Sequence, residues 1–262
     1  MNADRELLLD MTDLRKDFEG LMAVFDVSFP VRRGEIVSLI GPNGAGKTTI
    51  FNLITGVLPA TSGSVRYRGR ELRGLRPHQI NALGLARTFQ NVRLFGNMTV
   101  LENVMVGRHA RTRYGALSTA FRLPAARRAE REIRERAMRE LARVGLEPKA
   151  GEGSLSLPFG QQRLLEIARA LATEPSLLLL DEAGSGLNGA EKDDLGRLIR
   201  SLRGSGITIL LVEHDIPFVM GLSDRVVVLE HGVLIADGTP AQVQGDPRVI
   251  AAYLGEEVGG KC

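Results

Sequence analysis

An α/β fold with a largely parallel central sheet is predicted by three observations in the 262-residue sequence. Short runs rich in Val, Ile and Leu alternate with helical patterns over most of the length, the rhythm of parallel strands joined by crossover helices. Candidate strands cover residues 35–40, 176–180, 207–212 and 225–229. Residues 7–29 and 63–68 break that rhythm and read as extended antiparallel strands, with a turn at Glu19-Gly20. From Val100 to about Arg169 the pattern is almost purely helical, so a helical lobe is expected between strands of the core.

Composition narrows the class. Hydrophobic residues at 44% and charged residues at 25% match an ordinary globular chain, which sets aside disorder and fibrous repeats. The apolar run Ile207 to Val212 falls far short of the roughly 18 residues a membrane span requires. The opening MNADRELLLDM carries acids among its leucines and does not read as a secretory signal, so a cytosolic location is expected. Cys262 is the only cysteine, which excludes an internal disulfide and a zinc ribbon, and His78, His109, His214 and His231 lack metal-ligand spacing. A net charge of +3 is too small to argue for nucleic acid without a basic patch. The one candidate patch, residues 122–143, reads instead as a helix with Ala126, Ile133, Ala137, Leu141 and Val144 on one face. Glu130, Glu132 and Glu135 each precede an arginine by four residues (Arg134, Arg136, Arg139), the order that favours ion pairs on a solvated helix surface.

The strongest motif is the run Gly41, Pro42, Asn43, Gly44, Ala45, Gly46, Lys47, Thr48, which satisfies the P-loop pattern. Its context is also right, with strand-like EIVSLI before it and helical KTTIFNLITG after it. Glycines let the backbone wrap a phosphate closely, and the following helix adds its positive end. Lys47 would reach the terminal phosphates, Thr48 would offer its hydroxyl to Mg²⁺, and Thr49 would meet the innermost phosphate. The loop alone admits many nucleotide hydrolases and nucleotide kinases, so the second half of the chain must choose.

Leu177 to Leu180 forms a buried-strand run that ends in Asp181 and Glu182. At the carboxyl edge of a strand, Asp181 can hold Mg²⁺ through its water shell while Glu182 polarises the attacking water. Gln90 follows the strand-like LARTF, where it can sense Mg²⁺ and water and pass that state to the helical lobe. His214 follows the run 207–212, where its imidazole can hydrogen-bond a phosphate oxygen. A second anion-binding helix start is expected at Gly160, because Leu164, Ile167, Ala168 and Leu171 recur at helical spacing behind it.

The order GPNGAGKTT, Gln90, LPFGQQR, LLLLDE and EHD resembles that of the ATPase subunit of ATP-binding cassette (ABC) transporters, over essentially the whole chain. The resemblance implies a P-loop NTPase core with an N-terminal antiparallel β subdomain and an inserted α-helical subdomain. It places one ATPase domain over residues 1–256, the helical part at about 93–169 and a flexible tail at 257–262. Cofactors would be ATP and Mg²⁺. The segment holding Gly160 and Gln161 would bind the γ-phosphate of ATP seated in the P-loop of a second copy, so two ATPs close between two subunits head to tail. Phe18 matches the aromatic that stacks on adenine, with ordinary core packing as the alternative. Three departures stand out: Pro158 replaces the usual serine, Ala183 a usual proline, and Asn188 a frequent aspartate. The first leaves phosphate contact to Gly160 and Gln161.

The segments ARTFQNVRLFGNMTVLENVMVG, VEHDIPFVMGLSDRVVVLEHG and ADGTPAQVQGDPRVIAAYLGEE resemble the branched-chain amino-acid transport subfamily, in its longer-lobed ATPase subunit. That resemblance implies a homodimer in isolation or a heterodimer with a shorter sister ATPase in the cell. It further implies two transmembrane permease subunits, a periplasmic solute-binding protein acting indirectly, a seat on the cytoplasmic face of the membrane and no nucleic acid. Urea or aromatic acids as solutes, and lipopolysaccharide export, stay open as alternatives. Soluble cassette proteins of DNA repair or translation usually carry long coiled-coil inserts or two cassettes, and neither is present in this sequence.

Overall fold

The structure, a computed structural model, describes residues 5–88, 90, 93–109 and 124–259, without the side chains of 109, 124–127 and 254–259. Two sheets face each other. The first is antiparallel, ordered β2–β1–β4–β5, from β1 (Leu7–Phe18), β2 (Leu21–Arg32), β4 (Ser62–Tyr67) and β5 (Arg70–Glu71). The turn between β1 and β2 falls at Glu19 and Gly20, both with positive φ. The second sheet is ordered β10–β9–β3–β8–β7–β6, from β3 (Ile36–Ile40), β6 (Leu85–Arg87), β7 (Leu177–Asp181), β8 (Thr208–Val212), β9 (Arg225–Glu230) and β10 (Val233–Gly238). Its pairs are parallel except β9 with β10, which are antiparallel.

Strands of the second sheet read as continuous apolar runs because both faces are covered. Alternation divides them all the same. Leu177 and Leu179 of β7, Leu210 and Val212 of β8, and Val37 and Leu39 of β3 share one core with the antiparallel sheet and with α1 (Lys47–Ile54). Leu178, Leu180, Ile209 and Leu211 point the other way, into a core shared with the helices.

Those helices are α3 (Val100–His109), α4 (Pro124–Arg143), α5 (Phe159–Leu171) and α6 (Gly189–Gly204), following the short α2 (Pro77–Ala82). Helix α4 buries Ile133, Ala137 and Leu141 against Val100, Val104 and Leu165. On its outer face Glu132 and Arg136 pair at 2.7 Å, as the spacing predicts, whereas Glu130 with Arg134 and Glu135 with Arg139, also among the described residues, form no ion pair. The first two residues of the expected helix, 122 and 123, and the side chain of Ala126 lie outside the described residues. Because α3, α4 and α5 sit between β6 and β7 in sequence yet share a core with β7 and β8, movement of the helices is mechanically tied to the sheet. The chain ends with α7 (Ile216–Leu222), α8 (Pro240–Gln244) and α9 (Pro247–Gly259), so the expected tail at 257–262 begins inside a helix; 260–262 lie outside the described residues.

Candidate nucleotide site

Sheet order decides which loops become neighbours. Strands β3, β8, β7 and β6 lie side by side and run in one direction, so the segments after their carboxyl ends crowd one edge. Leu39 pairs with Val212, and Val212 with Asp181. The loop 41–46 therefore stands beside Glu213 and His214, then Asp181 and Glu182, then Thr88 and Gln90, the edge where ligands of open α/β sheets collect.

Loop 41–46 ends in Gly46, which sets the start of α1 with φ +98°. A Cβ there would stand 2.5 Å from the backbone oxygen of Ala23, so only glycine fits the turn. No side chain caps α1, and its first N–H groups have no acceptor within the helix. Lys47 is buried and donates from Nζ to the carbonyl oxygens of Gly41 at 2.6 Å and Pro42 at 2.8 Å. A lysine held across a loop of backbone donors makes a concave anion seat.

Asp181 is buried at the end of β7. Its Oδ2 accepts from Arg87 Nη2 at 2.7 Å, while its Oδ1, equally buried, has no hydrogen-bond partner among the described residues. Glu182 has left-handed backbone, φ +50°, uncommon for a residue with a side chain, and its N–H donates to Val212 O at 2.8 Å. Gln90 Nε2 donates to Glu182 Oε2 at 2.8 Å, bringing together two residues 92 positions apart. His214 is exposed at the same edge. Asp215 caps α7 by accepting from Phe218 N, and its carboxylate pairs with Lys192 of α6.

Helix α5 begins at Phe159 with Pro158 as its uncapped start. Gly160 answers first to its own chain: a Cβ there would stand 2.6 Å from Glu191 Oε1 and 3.3 Å from Leu187 Cδ2. Glu191 is held because Asn188 and Glu191 cap α6 reciprocally, side chain to backbone in both directions. Gln161 Oε1 accepts from Lys149 Nζ at 2.8 Å. Phe18 ends β1 with 40% of its surface exposed and Lys16 Nζ 4.8 Å from its ring, so core packing does not account for it.

Residues 24–185 match the family described as ABC transporter. The chain belongs to the ABC transporter family. Residues 233–259 also match a second description, branched-chain amino acid ATP-binding cassette transporter. Among curated relatives, the high-affinity branched-chain amino acid transport ATP-binding protein LivG of Salmonella typhimurium is 48% identical over 250 residues, covering 95% of this chain and 98% of the relative. Among solved structures, the ADP conformation of the cassette MJ1267 superposes with a TM-score of 0.83 at 30% identity, covering 95% of this chain and 99% of that one. The dimeric structure of MJ0796, a bacterial ABC transporter cassette, gives 0.76 at 25% identity, covering 89% and 99%. As an ABC cassette the chain is a nucleotide-binding ATPase subunit. No helix among the described residues is long and apolar enough to cross a membrane.

The residues of this ABC cassette fit a divalent cation of the Mg²⁺ kind. Mg²⁺ keeps most of its waters and takes one or two protein oxygens beside nucleotide phosphates. Here the carboxylate oxygen Asp181 Oδ1 is buried without a hydrogen-bond partner among the described residues, and Thr48 supplies a hydroxyl in the first turn of α1. No group of three or more His, Cys, Asp or Glu among the described residues makes a self-sufficient metal cage.

Three polar residues of the cassette with side chains out of solvent escaped sequence reasoning. Arg87 binds Asp181 and also donates from Nη1 to Asn52 Oδ1 at 2.7 Å. Glu213, beside His214, accepts from Gly184 N at 2.6 Å. Burial pushes its carboxyl up and Glu182 adds to that, against the Gly184 N–H and His214. Glu166 of α5 accepts from the backbone N–H of Arg93 at 2.8 Å, and burial raises its carboxyl too. The available signal was a charge beside an apolar strand: Arg87 ends a run that pairs with LLLLD, and Glu213 follows TILLV directly.

Proposed function

We propose that this ABC cassette binds ATP with Mg²⁺ and hydrolyses it to power uptake of branched-chain or related amino acids through two transmembrane partners, seated on the cytoplasmic face of the membrane. The observation that carries the reading is the convergence of Lys47, Asp181, Glu182, Gln90 and His214 at the carboxyl ends of four adjacent strands. The amino-acid cargo rests on the match of residues 233–259 and on the relative LivG.

In this reading the backbone of Gly41, Pro42, Asn43, Gly44, Ala45 and Gly46 wraps the phosphates, with Lys47 and Thr49 at their two ends. Phe18 stacks on adenine. Thr48, Asp181 and Gln90 are the residues that would hold Mg²⁺, which when bound neutralises phosphate charge. Glu182 takes the proton of a water that attacks the terminal phosphorus as the bond to the ADP oxygen breaks. His214 and Lys47 stabilise the charge on the transferred phosphoryl group. Gln90 holds Glu182 by the amide and leads directly into the helical part, so a shift of that part re-aims the base. Beside it lies a cavity of about 470 Å³ lined by Arg93, Phe95, Glu166 and Arg169, which suits a docked segment of a membrane partner.

Gly160 and Gln161 act on the ATP of a second cassette. Residues 1–256 serve as one ATPase unit, with 93–169 as its inserted helical part. The test is E182Q: this variant binds ATP, elutes as a dimer in ATP and Mg²⁺, and turns over at least about a hundredfold more slowly, within the usual worth of a general base. Undiminished turnover would remove Glu182 from its role.

A further inference from the structure

Arg87 joins the two halves of the nucleotide site from below. It is the last residue of β6 and pairs in register with Leu179, two residues before Asp181 on the neighbouring strand. One arm of its guanidinium binds Asp181 Oδ2 at 2.7 Å. The other reaches α1, donating to Asn52 Oδ1 at 2.7 Å and Thr55 Oγ1 at 3.3 Å, with the ring of Phe51 5.5 Å from Cζ. Both partners of the ion pair are out of solvent, at 7% and 2% side-chain exposure.

A buried carboxylate needs a counter-cation, and two could serve Asp181: a guanidinium from inside the sheet or a divalent ion from its open edge. The internal one is in place. It occupies Oδ2 and offsets the charge of Asp181, leaving the other oxygen of the same carboxylate, Oδ1, buried with no hydrogen-bond partner among the described residues. A second cation arriving at Oδ1 meets a carboxylate that is already neutralised, with a positive charge directly behind it. Phosphates in the loop would restore the missing negative charge.

We propose that Arg87 is a positioning residue that makes divalent-cation binding at Asp181 conditional on nucleotide. It suppresses the affinity of the bare site, fixes the rotamer of Asp181 and presents a single oxygen. Because the same guanidinium grips Asn52 and Thr55, Asp181 also keeps its place relative to the helix that follows the phosphate loop. The proposal rests on the reading of Asp181 as the metal-side carboxylate.

The experiment is a Mn²⁺ titration of nucleotide-free protein, read by the electron paramagnetic resonance signal of free Mn²⁺, for the unsubstituted chain, R87Q, R87K, D181N and R87Q/D181N. The unsubstituted chain and R87K, which keeps the charge, are expected to bind Mn²⁺ weakly. R87Q should gain one site per chain, at least about tenfold tighter, as loss of a charge this near in a partly dry site implies. That site should vanish in R87Q/D181N. Mn²⁺ binding by R87Q equal to that of the unsubstituted chain, or a gain that survives D181N, overturns the proposal. Tight nucleotide-free binding by the unsubstituted chain overturns it without any variant, which covers the case in which R87Q does not fold. Titrations with ATP present separate this from the underlying reading: if D181N still binds Mn²⁺ with ATP as the unsubstituted chain does, the role of Asp181 fails. If D181N loses that binding while R87Q gains none without nucleotide, only the role of Arg87 fails.

Discussion

At the scale of single residues, the carboxyl edge of the sheet holds carboxylates in three different environments. Asp181 has a guanidinium, Glu182 has the amide of Gln90, and Glu213 is buried with the Gly184 N–H as a donor and with Glu182 and His214 close enough to act on its charge. Glu213 therefore carries a stability penalty that depends on pH. Its carboxyl is raised in the folded state, so its contribution favours folding below the ordinary carboxylate range near 4.3 and is lost as pH rises through the raised value. E213Q keeps an oxygen for Gly184 N–H and never ionises. Denaturant unfolding should find E213Q more stable than the unsubstituted chain at pH 8, with the difference closing towards pH 4. An equal difference at both pH values would show that charge on Glu213 is not the cause. The sequence offered only the apolar run before Glu213 as a signal; its burial and the approach of Gly184 are products of the fold.

At the scale of elements, α5 and α6 meet where a glycine permits it. Gly160 lies against Glu191, and Glu191 is the returning half of the Asn188 cap. Asn188, read from the sequence as a departure from aspartate, keeps the capping acceptor without the charge. N188A should cost about 1 kcal/mol, seen as a fall in unfolding midpoint of roughly 2–4 °C. G160A should cost less than that, because its methyl need only turn the far end of the Glu191 side chain aside, while alanine favours the helix over glycine. In a double-mutant cycle G160A should be better tolerated in an E191A background than in the unsubstituted chain, since the atom its methyl meets is gone; an unchanged effect would mean the methyl is relieved elsewhere. The expectation that Gly160 leaves room for a phosphate thus acquires a second reason internal to the chain. The longer strands and helices were legible because elements such as Leu177–Asp181 and Phe159–Leu171 repeat one pattern over five or more residues, which the two residues of β5 cannot do. Contacts such as Gly160 with Glu191 were not, since they depend on the angle at which two helices cross.

At the scale of the whole molecule, the order of motifs along the chain carried the family and the α/β plan, because P-loop, acidic strand end and EHD each follow an apolar run at fixed sense. The antiparallel layer followed from the turn at Glu19-Gly20 and the extended runs around it. What sequence order could not show was adjacency. Gln90 and Glu182 touch only because β6 pairs with β7, and Arg87 reaches Asp181 for the same reason. Lys47 and the α5 start, by contrast, belong to separate parts of the cassette, and in the proposed dimer they meet two different nucleotides. Catalysis should therefore need two chains. The direct measurement is specific ATPase activity at saturating MgATP over a hundredfold range of protein concentration, with sedimentation velocity on the same samples. Activity per chain is expected to fall in step with the dimer fraction on dilution. Constant activity per chain down to concentrations where only monomer sediments would contradict the account.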